Sequence, residues 1–296
     1  MAIPESQLET WSHQGSVSQS SDTYGTIKRS LEASAAPYYG KEFEVFLQGS
    51  YGNDTNIYSE SDVDVVIRLN STFYRDISEL PPDQQSAYVA NHSTASYTYD
   101  NFKTDVMIAL NSNFGRSVKP GSKAIKIIAD GNRRNSDVLV AAEYRRYHRF
   151  ISLSDQNYDS GICFFTSSGG QIVNYPKQHS SNCTQKHQGT NNWFKPMVRI
   201  LKNIRGRLVD EGTIAKDTAP SYFLEGLLYN VPNDKFGKSY GDSFVACFNW
   251  ILNADRTKFV CANMQYYLLG DDNVRWPEAN CKKFLDEAKK LWNEWS

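Results

Sequence analysis

Asp62 and Asp64 stand one residue apart, and they follow a Gly49-Ser50 pair by about a dozen residues. The apolar run Val63–Leu69 is expected to be a strand. Side chains alternate across a strand, so the two aspartates share one face. Two carboxylates a few ångströms apart repel each other unless a cation lies between them. Hard oxygen ligands at this spacing suit Mg²⁺, which takes one or two carboxylates and completes its shell with water and substrate phosphates. The Gly-Ser turn supplies the complementary chemistry. Glycine lets backbone come close to a phosphate, and free N–H groups at a following helix start attract anions.

Further groups along the chain have ligand chemistry. Lys195, Arg199, Lys202 and Arg205 recur at helical spacing and share part of one helix face, opposite an apolar stripe of Met197, Leu201, Ile204 and Leu208. On spacing alone such a row is a solvated face. Pro220-Ser221-Tyr222 opens the next apolar segment. Pro suits a helix start, Ser221 and the local N–H groups can meet a polar ligand, and Tyr222 is either a stacking surface for a base or core packing. Asn174 closes a short strand before Tyr175-Pro176. Its carboxamide offers a donor and an acceptor together, which suits a uracil edge or a turn that caps its own backbone. His179, Cys183 and His187 recur every four residues and could ligate zinc from one helix face. However, Ser180-Ser181-Asn182 and Thr184-Gln185 are poor helix formers, so zinc is not expected. Lys123, Lys126, Arg133, Arg134, Arg145, Arg146 and Arg149 make the region around Asp137 basic, either as strand exteriors in water or as a surface for an RNA activator.

The elements that must position these groups follow from periodicity. A helix is expected over Ser18–Ala35, with Tyr24, Ile27 and Leu31 at helical spacing and Pro37 closing it. Strands are expected at Phe43–Leu47, Val63–Leu69, Ala124–Ile128, Asp137–Ala142, Ile162–Thr166 and Gln171–Tyr175, the last two joined by the turn Ser167-Ser168-Gly169-Gly170. Helices are expected before Asn91, around Tyr99–Leu110, and then at Phe194–Leu208, Pro220–Tyr229, Asp242–Ala254 and Pro277–Trp295. The first 16 residues and the stretch Ser180–Thr190 read as polar and irregular. Strands first and helices later predict an α+β chain with a mixed-sheet catalytic lobe over residues 1–185 and a helical lobe over 186–296.

Bulk properties narrow the function classes. A chain of 296 residues can bury a full core, and a net charge of −1 with a pI near 6.5 gives no global signal for nucleic acid. Five cysteines at irregular spacing argue against a disulfide framework and for a reducing cytoplasm. The first residues lack a basic and apolar leader pattern, and no apolar run approaches the roughly 18 residues of a membrane span, so cytoplasmic localisation without membrane insertion is expected.

The Gly-Ser turn followed by Asp-X-Asp resembles the polymerase-β-like nucleotidyltransferases, whose site needs a third carboxylate on a neighbouring strand. Asp137, heading the run Val138-Leu139-Val140-Ala141, fits best. Asp105 competes, but the residues after it read as a helix. Pro4–Glu9, Trp11–Gly15, Asn174–His179, Lys195–Asn203 and Pro220–Glu225 extend the resemblance to the bacterial cGAS/DncV-like nucleotidyltransferases, most closely clade E. The resemblance covers nearly the whole chain.

This resemblance implies an OAS/cGAS-like two-lobe architecture and a cyclic oligonucleotide synthase of anti-phage (CBASS) signalling. Asp62, Asp64 and Asp137 would be the catalytic and metal residues, holding two Mg²⁺ ions for which Mn²⁺ can substitute. Gln48, Gly49, Ser50, Asn174, Arg199, Lys202, Ser221 and Tyr222 would bind nucleotide. It reverses the solvated-face reading of the basic helix, with Lys202 and then Arg199 neutralising the triphosphate, and it favours a base contact for Ser221-Tyr222. Clade relatives with Asn at position 174 tend to accept a pyrimidine, so ATP and UTP are the expected substrates. An effector switched by the cyclic product and an RNA or other phage-derived activator are the expected partners. The competing readings are an RNA-terminal nucleotidyltransferase, a linear oligonucleotide synthase, and a non-catalytic antitoxin-like protein of the same fold.

Overall fold

A computed structural model describes residues 2–15, 17–58 and 62–295. The chain divides into two compact units, one formed by Ser18–Leu47 and Asp62–Tyr175, the other by Met1–Val17, Gln48–Ser61 and Pro176–Ser296. The division differs from a single cut near residue 185. The N-terminal segment and the stretch carrying the Gly-Ser turn belong with the helices, and the sheet unit ends at Tyr175.

In the helical unit the termini and the turn segment pack together. It contains α1 (Glu5–Ser12), the short α3 (Gly49–Gly52), α6 (Pro176–Gly189), α7 (Phe194–Asp210), α8 (Ser221–Tyr229), α9 (Tyr240–Asn253) and α10 (Glu278–Asn293). α7 is central, packed by α1, α8 and α10. Its expected apolar stripe holds, since Met197, Leu201, Ile204 and Leu208 are all buried. Two of these helices were expected as irregular chain. In α1, Leu8 is fully buried and the Glu5 carboxylate accepts the first N–H groups of α9, from Tyr240 at 2.6 Å and Gly241 at 2.8 Å. In α6, burial of His179 and Cys183 on one face outweighs a propensity deficit of a few tenths of a kcal/mol per Ser, Asn or Thr.

In the sheet unit lie α2 (Ser18–Leu31), β1 (Phe43–Leu47), β2 (Val63–Asp76), α4 (Pro82–Asn91), α5 (Tyr99–Phe114), β3 (Val118–Pro120), β4 (Ile125–Ile127), β5 (Ser136–Ser152), β6 (Asp155–Phe165) and β7 (Gln171–Asn174). The described residues form one mixed seven-stranded sheet. Its order runs β1-β2-β5-β4-β3, with β6 pairing β5 and β7 pairing β6. β2 and β5 are parallel, and every other pairing is antiparallel. Val63, Val65, Val66, Ile67 and Leu69 are fully buried, as expected for a strand covered on both faces. α2 packs on β2 and α5 on β5. A reciprocal cap starts α5: the Asn101 N–H donates to Thr98 Oγ1, and the Thr98 N–H donates to Asn101 Oδ1.

Candidate active site

The sheet unit carries the carboxylates. Asp62 stands exposed just before β2, and Asp64 is the second residue of the strand. Asp64 and Asp137 are register partners on the adjacent parallel strands β2 and β5. Neighbours in register on one sheet place their side chains on the same face. On the other side of β5, Asp137 is opposite Lys126 of β4, so the row across three strands reads Asp64, Asp137, Lys126. Burial raises the Asp137 carboxyl above its ordinary range. The Lys126 charge pulls it down and the Asp62 charge pushes it up, and the net direction is upward. The competing aspartate is elsewhere in use. Asp105 lies on α5 and accepts from the Tyr97 hydroxyl at 2.6 Å.

Asn174 ends β7. Its Oδ1 accepts the Tyr175 N–H at 2.8 Å, the local backbone bond of a capping residue. Gly161 on β6 makes this position reachable, because a Cβ there would lie 2.7 Å from the Asn174 carbonyl oxygen and 2.9 Å from the Tyr175 ring. A lone glycine inside a strand pattern is the sequence signal that marks such a close approach.

Three arginines of the basic stretch, all on β5, are ion-paired within the fold. Arg145 pairs with Glu143, Arg146 with Glu79 and Arg149 with Asp155, while His148 bridges Glu79 and Asp159. These three cations are committed to carboxylates of the same unit.

The helical unit carries the turn. Gly49 sits at φ +67°, a left-handed conformation that glycine adopts without Cβ strain, and Ser50 opens α3. No side chain caps this helix start, and the buried Gln48 Oε1 has no hydrogen-bond partner among the described residues. The chain after α3 is held closely. The Thr55 N–H donates to the Ser50 carbonyl at 2.9 Å, and Asp54 between them has φ +55°.

Three cations of α7 act on this turn. Lys195 Nζ donates to Asp54 Oδ2 at 2.9 Å. Arg199 donates to the Asp54 carbonyl at 2.6 Å and to the Ser12 carbonyl. Lys202, fully buried, donates to the Thr55 carbonyl at 2.8 Å. The basic row is therefore not a solvated face. Lys202, the residue expected to meet the triphosphate, places one of its three N–H donors on the turn backbone. Arg205, the fourth cation, donates to the Ala219 carbonyl at 3.3 Å and to Ser221 Oγ at 3.4 Å. Tyr222, weighed as a base-stacking surface or as core packing, is partly buried. It stacks on His179 at 4.0 Å between centroids and on Trp276 at 5.6 Å, and Asn263 Nδ2 donates to its hydroxyl.

The residue that sequence reasoning missed is Glu225 of α8. Its carboxylate is buried, and Oε1 accepts from Thr55 Oγ1 at 2.5 Å. Oε2 accepts from Asn53 Nδ2 at 3.1 Å and from His179 Nε2 at 2.6 Å. Burial alone would raise its pKa, but the bonds from His179 and Thr55 and the charge of Lys202 carry it below the ordinary range. His179, Cys183 and Glu225 form the one group of three metal-type ligands lying within 4.8 Å of one another among the described residues. The doubt about a helix at α6 was misplaced, yet the donors still argue for a hydrogen-bonded hub. Both Glu225 oxygens are taken by donors. Burial and the Glu225 charge raise the Cys183 thiol well above its ordinary range.

A carboxylate pair in register across parallel strands and, in the other unit, a Gly-Ser turn are the two parts expected of a nucleotidyl-transfer protein. Comparison with known proteins sharpens that class. Residues 181–293 match the cGAS/DncV-like nucleotidyltransferase C-terminal helical domain. The cyclic UMP-AMP synthase of Rhodothermus marinus is 41% identical over 297 residues, covering 100% of this chain and 99% of that protein. The cyclic nucleotide synthase CdnE01 of Staphylococcus haemolyticus is 39% identical over 302 residues, with 100% of both chains covered. The solved structure of the Rhodothermus marinus CdnE c-UMP-AMP synthase with Apcpp and Upnpp superposes with a TM-score of 0.89 at 40% identity, over 99% of this chain and 98% of that one. The chain belongs to the cGAS/DncV-like nucleotidyltransferases, in their CdnE branch.

Proposed function

We propose that this chain joins two nucleoside triphosphates into a cyclic dinucleotide, that one of them is uridine and the other adenosine, and that the product signals in anti-phage (CBASS) defence through an effector it activates. The observation that carries the chemistry is the register pairing of Asp64 with Asp137, with Asp62 close enough to raise the Asp137 carboxyl. The full-length likeness to a cyclic UMP-AMP synthase supports the product class.

Three carboxylates are a hard oxygen donor set that fits Mg²⁺ or Mn²⁺, so Asp62, Asp64 and Asp137 are the residues that would hold two such ions. When bound, the ions would acidify the attacking ribose hydroxyl and stabilise charge on the α-phosphate and the departing pyrophosphate. The chain's own residues do the remaining work. Gly49 lets the backbone come close to the phosphates, and Ser50 with the uncapped N–H groups of α3 donates to the β and γ oxygens. Lys195, Arg199 and Lys202 keep the 54–55 backbone fixed behind that turn and contribute positive potential. Gln48 offers its unpartnered Oε1 as an acceptor for the bound nucleotide. Ser221 is positioned by Arg205 for a polar contact to a base, and Asn174 reads the uracil edge after its carboxamide exchanges the Tyr175 bond for the ligand.

Transfer occurs twice. The acceptor hydroxyl first attacks the α-phosphate of the donor, pyrophosphate leaves, and a linear dinucleotide triphosphate forms. This intermediate turns in the site, and its free hydroxyl closes the ring with loss of a second pyrophosphate. The test is to incubate purified protein with each labelled nucleoside triphosphate and Mg²⁺ or Mn²⁺, then treat with phosphatase. A phosphatase-resistant product with the mass of a cyclic dinucleotide that disappears on chelation supports the proposal, and resistant products heavier by one water, with free ends, would mean a linear synthase.

A further inference from the structure

We infer that Glu225 is a positioning residue for nucleotide binding, its buried carboxylate fixing the turn that carries Ser50 in the conformation that accepts a triphosphate. This inference rests on the phosphate role assigned above to the Gly49-Ser50 turn.

The connection is short and fully drawn in named atoms. The Thr55 hydroxyl donates to Glu225 Oε1, and the Thr55 N–H donates to the Ser50 carbonyl. Asn53, also between Ser50 and Thr55, donates its side-chain N–H to Glu225 Oε2. The turn thus meets one carboxylate at two side chains two residues apart. Asp54 between them is held at positive φ, a conformation that costs a non-glycine residue free energy and persists only where its surroundings impose it. Lys195 and Arg199 grip Asp54 itself, and Lys202 grips the Thr55 carbonyl, so the strained residue is fixed from both sides.

A buried carboxylate is a costly part for a purely structural task, since an apolar side chain of similar volume fills a core at least as well. What a carboxylate supplies is direction. It accepts from several donors at once and orients each of them. His179 completes the set: its Nε2 donates to Oε2, and its ring stacks on Tyr222 at the start of α8. Glu225 therefore joins α6, α8 and the phosphate turn at a single point.

The test uses the full chain and two variants, Glu225→Gln and Thr55→Val. The first keeps the volume but removes the charge and one acceptor. The second removes only the Oγ1 bond to Glu225 and keeps the Thr55 N–H bond to Ser50. Affinity is measured by titrating a non-hydrolysable ATP analogue with Mg²⁺, beside melting temperature and hydrogen exchange over residues 49–57. Glu225→Gln should weaken analogue binding by about 10- to 100-fold, the range expected for hydrogen bonds to a charged group. It should also accelerate exchange across the turn, while the protein still melts cooperatively. Thr55→Val should weaken binding in the same direction, and the double variant should lose less than the product of the two fold-changes, because both act through one bond.

If both variants bind the analogue within about twofold of wild type, the carboxylate only fills the core and the inference is overturned. Fold-changes that multiply in the double variant also overturn it. Stoichiometric zinc in wild type that is lost in Glu225→Gln overturns it too, by making Glu225 a ligand. Failure of the underlying phosphate role has a different signature, namely no binding of the analogue by wild type itself.

Discussion

Lys202→Met isolates the most enclosed charge in the helical unit. Lys202 is fully buried, donates to the Thr55 carbonyl at 2.8 Å, and contributes to holding the Glu225 carboxyl below its ordinary range. Met fills much of the same stem volume, so the change removes a charge and a donor with little cavity. A hydrogen bond from a charged donor contributes about 1.5–3 kcal/mol. Removing one partner of a buried charge pair costs about 3–5 kcal/mol, because the other charge stays buried. Asn53, Thr55 and His179 still donate to Glu225, so we expect the lower part of that range, about 3 kcal/mol. At about 2–4 °C per kcal/mol for a protein of this size, the melting temperature should fall by about 6–12 °C. Lys195→Met is the internal control. Its partner Asp54 is 62% exposed in its side chain, so that pair should contribute about 1 kcal/mol or less. The assay is thermal melting of both variants at neutral pH without ligand, followed by titration with an ATP analogue. Lys202→Met should also weaken analogue binding, because the Thr55 backbone that braces Ser50 loosens. A melting temperature unchanged by Lys202→Met, or lowered more by Lys195→Met, would refute the clamp.

The other predictions concern the carboxylates, base choice and pH. Asp62→Asn or Asp64→Asn should abolish product while leaving the melting curve nearly unchanged, since they remove ligand charge rather than core volume; turnover within a few-fold of wild type would sink the metal assignment. For Asp137 the folded pKa is raised, so its contribution to stability is full below its unfolded value of 3.8 and is lost as pH rises through the folded value. Asp137→Asn should therefore melt at or above wild type at neutral pH, and Lys126→Met should move the acid limb of the activity profile to higher pH. Asn174→Ser should shift product from uridine towards purines, read as product composition with the four triphosphates at equal concentration. His187 is pushed down to about 4 by burial and by the Lys195 and Arg199 charges, so the unfolded chain takes up a proton first as pH falls from about 6.5. Stability should drop across that window, and His187→Gln should flatten the drop in a pH series of melting curves.

The core of the site was legible because its signals are local. An apolar run, a Gly-Ser pair and an Asp-X-Asp run gave β1, the turn and β2 in order, and the Val-rich stretch after Asp137 marked β5 as the neighbouring strand. The strand lengths were underestimated because β5 and β6 continue through charged residues such as Arg145, Arg146 and Asp159, each of which is held by an ion pair: Arg145 with Glu143 on the same strand, Arg146 with Glu79 in the loop after β2, and Asp159 with His148 across the β5–β6 pair. α1 and α6 were missed because their propensity is poor and their stability comes from burial of Leu8, His179 and Cys183, which no local pattern reveals. Glu225 was missed for the same reason. Its partners Asn53 and Thr55 lie 172 and 170 residues away in sequence, and a single Glu in an apolar helix carries no spacing signal. The basic row of α7 was recognised, but its partners were not. Spacing says which side chains share a face, not whether that face meets a ligand or the carbonyls of a turn.

One measurement tests the central claim most directly. Purified protein is given ATP, UTP, GTP and CTP at equal concentration with Mg²⁺, and the phosphatase-resistant product is identified by mass spectrometry beside an Asp64→Asn control. The account predicts a cyclic dinucleotide that contains uridine and adenosine, made by wild type and absent from the control. A purine-only ring would contradict the role given to Asn174, and a linear product, or the same product from Asp64→Asn, would contradict the account as a whole.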